Sequence, residues 1–223
     1  MGTLYLVRHG QASFGADNYD QLSPLGVQQC RRLGEYFAAR QRRFAHVITG
    51  TLARQVQSHD ALAEGLGQRH EPQRLPALNE YDSHALIHAI HPEPLPKPTT
   101  RELYKQHFKL LRQALAAWMA GQVTPEGMPS FADFSAGVAQ ALDAALARRE
   151  DGDVLLVSSG GPISTAVAQV LGVPAETAID LNMRLRNSAV TEFEMTPRRH
   201  QLLSWNGLPH LDEPAYADWV TFT

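Results

Sequence analysis

Two stretches of this chain hold residue types that can work on phosphorus. "LVRHG" (6–10) places an arginine and a histidine directly after an apolar run. "VLLVSSGGPIS" (154–164) runs from an apolar stretch through two serines and two glycines to a proline suited to the first turn of a helix. An imidazole at a strand end can attack phosphorus while a neighbouring guanidinium holds the equatorial oxygens. A Gly-rich turn opening a helix offers backbone N–H groups and a helix N-terminus to an anion. On Arg8-His9 alone, a histidine satisfied within the fold is the simpler reading. The chemistry depends on whether the two stretches meet. Ligands of open α/β sheets bind beyond the carboxyl ends of the strands. If both apolar runs are neighbouring strands, Arg8, His9 and the Ser159 loop share one crevice.

The elements that must position these residues can be read from the pattern. Thr3–Val7 is apolar on both faces, as in a strand buried within a parallel sheet, and "DVLLV" (153–157) reads the same way. In "SPLG", Ser23 is an N-cap with Pro24 at the first helical position, and Gly26, Cys30, Leu33 and Phe37 follow at helical spacing. His46–Thr49 reads as a second strand. Thr51 is expected to cap a helix with Leu52, Val56, Ala63 and Leu66 facing inward, and 71–75 is expected to be a short strand. Residues 81–130 read as a helical insertion lying over the core of a single domain spanning 1–223. Prolines at 92, 94, 96 and 98 impose an extended path, the reading preferred to a docking site for a proline-recognising module. Phe108, Leu111, Leu115 and Trp118 then share a helix face. Phe131, Phe134, Val138, Leu142 and Ala145 mark another helix, and one more is expected from Pro162 to about Leu171. "SAVTEFEM" and "HQLLSWN", joined by "TPRR", predict an antiparallel edge hairpin. Strand–helix alternation with such a hairpin predicts an α/β three-layer sandwich, its central sheet mostly parallel.

Composition narrows the function. Twenty Lys and Arg stand against 23 Asp and Glu in 223 residues, which gives no basic surface for nucleic acid. The single cysteine, Cys30, excludes an intramolecular disulfide and a cysteine-rich metal site. No apolar run approaches the ~20 residues of a membrane span, and the N-terminus lacks the pattern of a secretion signal. A cytoplasmic protein acting without nucleic acid or membrane is expected. His84, His88 and His91 fall at i, i+4 and i+7, but the prolines directly after His91 favour solvated histidines over a metal site.

"LVRHGQAS", "TGTLARQVQS" near residue 50, "LNEYD" near 80 and "VSSGGPIS" near 160 occur in this order, with "RLRNSAVTEFE" before the hairpin. This pattern resembles the histidine phosphatase superfamily, also called phosphoglycerate mutase-like, over nearly the whole chain. The resemblance implies that His9 is a nucleophile that becomes phosphohistidine and that Arg8 and Arg54 clamp phosphoryl oxygens. It also implies that Glu80 protonates the leaving oxygen and then activates water, with no metal or organic cofactor. Gln11, Ser159 and Gly160 are expected around the phosphate. The substrate class implied is a phosphorylated small molecule or a phosphoprotein.

Gln11 stands where many members carry glutamate, and this resembles the branch that dephosphorylates proteins rather than the cofactor-dependent mutases. Ser159 stands where members usually carry a second histidine. A serine donates one hydrogen bond and brings no charge, so a slowed phosphatase is expected. The glycines beside it suggest room for an imidazole, and His210 is a candidate to fold back and compensate. The alternatives are a non-catalytic phosphate-binding relative, acting as sensor or scaffold, and a phosphoglycerate-type mutase.

Overall fold

The computed structural model describes residues 2–13, 20–96 and 100–222. Six strands form one sheet in the order β3-β2-β4-β1-β5-β6. They are β1 (Thr3–Arg8), β2 (Phe44–Thr49), β3 (Gln73–Arg74), β4 (Asp153–Ser158), β5 (Val190–Met195) and β6 (His200–Gly207). The first four are mutually parallel, and β5 and β6 form the antiparallel edge hairpin. Both central strands read from the sequence are therefore direct neighbours, with Arg8 opposite Ser158 in register.

Strand alternation divides the core. Leu4, Leu6, Ile48, Val154 and Leu156 face α5 (Phe131–Leu146) and α6 (Gly160–Leu171), while Tyr5, Val7, Val47, Leu155 and Val157 face α1 (Pro24–Ala39) and α2 (Ala53–Leu66). The result is the expected three-layer α/β sandwich. Between Glu80 and α5 come α3 (Ser83–Ile90) and α4 (Arg101–Met119), whose Leu86, Ile87, Leu111, Leu115 and Trp118 join the α5–α6 core. No helix among the described residues is long and apolar enough to cross a membrane.

Ser23 and Pro24 open α1 as expected, with Ser23 Oγ accepting from the Gly26 N–H at 3.0 Å. Four local expectations fail for physical reasons. Thr51 does not cap α2; the N-cap position is Leu52, and the Ala53 N–H is taken by the Asp20 carboxylate at 2.8 Å. Val56 and Ala63 are only half-buried, because α2 turns Arg54, Gln55, Ser58 and His59 inward with Leu62 and Leu66. Phe108 is 41% exposed, while Ala114 takes the place expected of it in the buried face of α4. Helix α6 begins at Gly160, two residues before Pro162, which makes Ser159 its N-cap position.

Helix α7 (Ala175–Arg184) falls in a stretch that carried no helix expectation. The chain after His91 contains no helix or strand as far as Pro96; Pro98 lies outside the described residues. His84 and His88 are exposed on α3, and His91 is its C-cap. Among the described residues no group of three or more His, Cys, Asp or Glu side chains is placed to hold a metal ion.

Candidate active site

The carboxyl ends of β1 and β4 bring Arg8, His9 and Ser159 together. The His9 N–H donates to Ser158 O at 2.9 Å, so the turn after β1 is tied directly to the end of β4. The imidazole is 2% exposed, and its Nδ1 lies 2.7 Å from Gly10 O. A carbonyl can only accept, so Nδ1 carries the proton and Nε2 presents a lone pair. Arg54 Nε–H points at that lone pair from 3.3 Å. Burial first, then the charges of Arg8 and Arg54, hold the His9 pKa well below the ordinary histidine value. The ring is therefore neutral at physiological pH, the form in which an imidazole is nucleophilic.

The backbone of His9 is held from the opposite side. Its carbonyl accepts from the Ser188 N–H at 3.2 Å and from Asn187 Nδ2 at 3.3 Å. Ser188 sits at φ 55, a left-handed conformation that a non-glycine residue adopts only when its surroundings impose it. Its hydroxyl is 2.9 Å from His210 Nε2. His210, buried in the 3-10 turn Pro209–Leu211, is thus linked to the back of His9 through Ser188, and its ring is engaged there rather than brought to the Ser159 loop. Burial, with a smaller contribution from Arg32, lowers its pKa to about 3.

Arg54 is 7% exposed and paired through Nη1 with Asp20 Oδ1 at 2.7 Å. The same carboxylate accepts the Ala53 N–H, so Asp20 both caps α2 and orients the guanidinium. Arg8 Nη1 bonds to the carbonyl oxygens of Leu185 and Phe222, which ties its side chain to the end of α7 and to the C-terminal segment. Gln11 Oε1 accepts from Ser23 Oγ–H at 2.8 Å, which anchors its amide at the start of α1.

Glu80 follows a 3-10 turn at Pro76–Leu78 and places both carboxylate oxygens 3.1 Å from the Gly161 N–H, at the N-terminus of α6. Burial raises its pKa, opposed by that N–H, by the Arg54 and Arg8 charges and by the Tyr81 N–H. A carboxyl whose pKa is raised by burial is better suited than an exposed one to hold a proton for transfer. The glycines of the loop are required by close approach. A Cβ on Gly161 would strike Glu80 Oε1 and the Tyr81 ring, and one on Gly160 would strike Asn182 Oδ1. The space beside these two glycines is therefore taken by Glu80, Tyr81 and Asn182.

Ser159 is fully buried, and its Oγ accepts from Gln55 Nε2 at 2.8 Å instead of capping its own helix. Sequence reasoning singled out neither Gln55 nor Asp20. Gln55 is a polar residue one step from Arg54 on a helix expected to turn only apolar residues inward. Asp20 precedes a Ser-Pro helix start, where an acid reads as solvated.

Residues 4–207 match the model of the histidine phosphatase superfamily (branch 1). A probable phosphoglycerate mutase, GpmB, of Erwinia tasmaniensis is 27% identical over 210 residues, 91% of this chain and 86% of that protein. Its Shigella boydii counterpart is 25% identical, covering 95% of this chain and 96% of that protein. Among solved structures, phosphoserine phosphatase of Entamoeba histolytica in complex with 3-phosphoglyceric acid superposes with a TM-score of 0.66 at 20% identity, over 95% of this chain and 100% of that one. A mycobacterial glucosyl-3-phosphoglycerate phosphatase superposes with a TM-score of 0.64 at 21% identity, over 92% and 99%. At these identities the structural likeness speaks for the fold, and the family match, running from the first core strand to the end of β6, places the chain in the histidine phosphatase superfamily.

Proposed function

We propose that the protein is a phosphomonoesterase that works through a phosphohistidine at His9 and needs neither a metal nor an organic cofactor. The observation that carries this reading is the orientation of one ring. His9 is neutral, its Nδ1–H is committed to Gly10 O, and its Nε2 lone pair is aimed at the guanidinium of Arg54. A phosphoryl group entering between them meets a nucleophile and a fixed cation together.

In the first step Nε2 attacks phosphorus, the bond to the leaving oxygen breaks, and protonated Glu80 gives its proton to that oxygen. In the second step Glu80 takes a proton from water, the oxygen of that water attacks phosphorus, and the P–N bond breaks. Inorganic phosphate leaves and neutral His9 returns. Arg8, Arg54 and the N-terminus of α6 carry the negative charge throughout. Helices α3 and α4, which follow Glu80 directly, form the insertion that sets selectivity among phosphorylated small molecules or phosphoproteins.

The GpmB relatives favour a second reading, a mutase that passes the phosphoryl group to another oxygen of the same metabolite. Both readings need phospho-His9; only the acceptor differs. Enzyme mixed with ³²P-labelled substrate and quenched in alkali should carry alkali-stable, acid-labile phosphate that His9→Ala lacks. Release of inorganic phosphate supports hydrolysis, and label retained on an isomerised product supports the mutase. Phosphate binding with neither outcome would identify a non-catalytic relative. Turnover that survives in His9→Ala would sink the mechanism.

A further inference from the structure

Gln55 on α2 uses every polar atom of its side-chain amide. Its Nε2 donates to Leu78 O at 2.8 Å and to Ser159 Oγ at 2.8 Å, and its Oε1 accepts the Leu52 N–H at 3.3 Å while packing over Gly50. Both amide protons are therefore spent, and the residue is fully buried. Gln55 cannot turn toward a ligand without taking its donor from the buried Ser159 hydroxyl, whereas Leu78 O would still accept from Ser158 Oγ–H. It instead braces Ser159 against Leu78, two residues before Glu80.

A serine hydroxyl that accepts from an amide keeps one proton to give. The fully buried Ser159 hydroxyl is bonded to Gln55 Nε2 as an acceptor, and its own proton remains available to an acceptor that a ligand brings. Its place in the loop is suited to that. Its chain neighbour Ser158 receives the His9 N–H, and Gly161, two residues on, gives its N–H to Glu80. A phosphoryl group on His9 brings acceptor oxygens to this position.

We infer that Gln55 is a positioning residue: its amide fixes Ser159 as an acceptor on one side, so that the serine must donate its proton to the phosphoryl group on the other. The pair Gln55–Ser159 supplies a neutral, directed donor on the wall of the site that follows β4. This inference rests on the proposed chemistry at His9 and adds to it a residue that never touches substrate.

The experiment is a double-mutant cycle, read as kcat/KM and as vanadate affinity beside thermal stability. Ser159→Ala removes the donor and should lower kcat/KM by about 10²-fold, the low end for one preorganised donor to a developing oxyanion. Gln55→Met keeps the volume but releases the hydroxyl to rotate, and should cost about tenfold. In the Ser159→Ala background, Gln55→Met should cost nothing further in rate or vanadate affinity. Ser159→Thr, which keeps a hydroxyl, should retain most activity. Equal losses from Gln55→Met in both backgrounds would make Gln55 a structural brace only and overturn the inference. Should Gln55→Met fail to fold, a crystal of the unmodified protein with vanadate decides. Ser159 Oγ within hydrogen-bond distance of a vanadate oxygen, with Gln55 Nε2 still on Ser159, is expected. Gln55 swung onto the vanadate, or Ser159 turned away, would refute the inference. Labelling of His9 is measured separately: its presence with a failed cycle sinks only the Gln55 assignment, and its absence sinks the chemistry beneath it.

Discussion

Arg54 and Gln55 are consecutive residues on one helix, both buried, and they reach different walls of the site: Arg54 meets His9 after β1, and Gln55 meets Ser159 after β4. Arg54 brings a charge, held by Asp20 and aimed at His9. Gln55 brings only dipoles and spends both of its donors within the protein. The difference decides how each wall can act. A full charge at 4 Å is worth about 4 kcal/mol at the effective dielectric of a protein surface and falls off slowly with distance. A neutral hydrogen bond nets about 0.5–1.5 kcal/mol and exists only at contact. The Arg54 wall can therefore capture an anion approaching in many poses. The Gln55–Ser159 wall discriminates only once phosphorus is in place.

Arg54→Ala is the most direct way to break this contrast. It should lower kcat/KM by about 10³-fold, since it removes the fixed cation opposite the nucleophile. Arg54→Lys should recover only part of the loss, because an ammonium keeps the charge without the fork. Steady-state kinetics on one aryl phosphate checks both, and parity between Arg54→Lys and the parent would mean that the wall works by charge alone.

Glu80 lies between the walls, and its test is the leaving group. Glu80→Gln should slow alkyl phosphates by about 10²-fold while barely affecting a nitrophenyl phosphate, whose oxygen departs without a proton. Because the Glu80 pKa is raised and the acid must start protonated, alkyl-phosphate turnover should fall as pH rises through that pKa. The depressed His9 pKa keeps the nucleophile unprotonated into mildly acidic solution, so the acid limb should lie well below pH 6.5. The alkaline limb should vanish in Glu80→Gln. Equal losses on both substrates would remove the residue from the acid role.

A smaller effect sharpens the neutral wall. Ser159→His alone should lower activity and stability, because the larger ring must displace the fully buried Gln55 amide and overpacking costs about 1–3 kcal/mol. Combined with Gln55→Ala, the imidazole gains room and should raise kcat/KM about tenfold above Ser159→His. A gain from Ser159→His in the presence of Gln55 would contradict the packing described for the loop.

The smallest change is expected at Asp20. Asp20→Ala should cost about 1 kcal/mol of stability through the lost cap on α2 and a few-fold in kcat/KM through a looser Arg54. Asp20→Asn should restore the stability but not the rate. Chemical denaturation and kinetics on the same samples separate the two roles.

The contrast between Arg54 and Gln55 also marks what could be read from the chain beforehand. Thr3–Val7 and Val154–Val157 announced themselves as buried strands because nothing polar interrupts them. Their adjacency, which makes the crevice, stood only as a condition in the sequence and is supplied by the β1–β4 pairing. The edge hairpin, α1 with its Ser23 cap, and the Arg-His pair at a strand end were legible for similar reasons: local spacing carries them. Arg54 and Glu80 came only through the family resemblance, since each alone reads as a solvated residue. Gln55, Asp20, Asn187 and Ser188 were not, because each matters only through a partner far along the chain. Gln55 meets Ser159 across 104 residues and Asn187 meets His9 across 178. Helix α7 was missed because its buried side rests on Ala178 and Ile179, too few apolar positions to set a period.

The histidine linked to the nucleophile through Ser188 ties the fold itself to the proton concentration of its surroundings. His210 is neutral in the native state down to about pH 3, whereas an unfolded chain protonates it below 6.5. Between those values the unfolded state binds the extra proton, so stability declines as pH falls, by about 1.4 kcal/mol for each unit. Over the whole interval that amounts to roughly 5 kcal/mol, against a total of about 5–15 kcal/mol for an ordinary domain. His9 and His200 are buried with lowered pKa values as well and pull in the same direction. Acid unfolding of this protein should therefore begin with its histidines, well before the carboxylates are titrated.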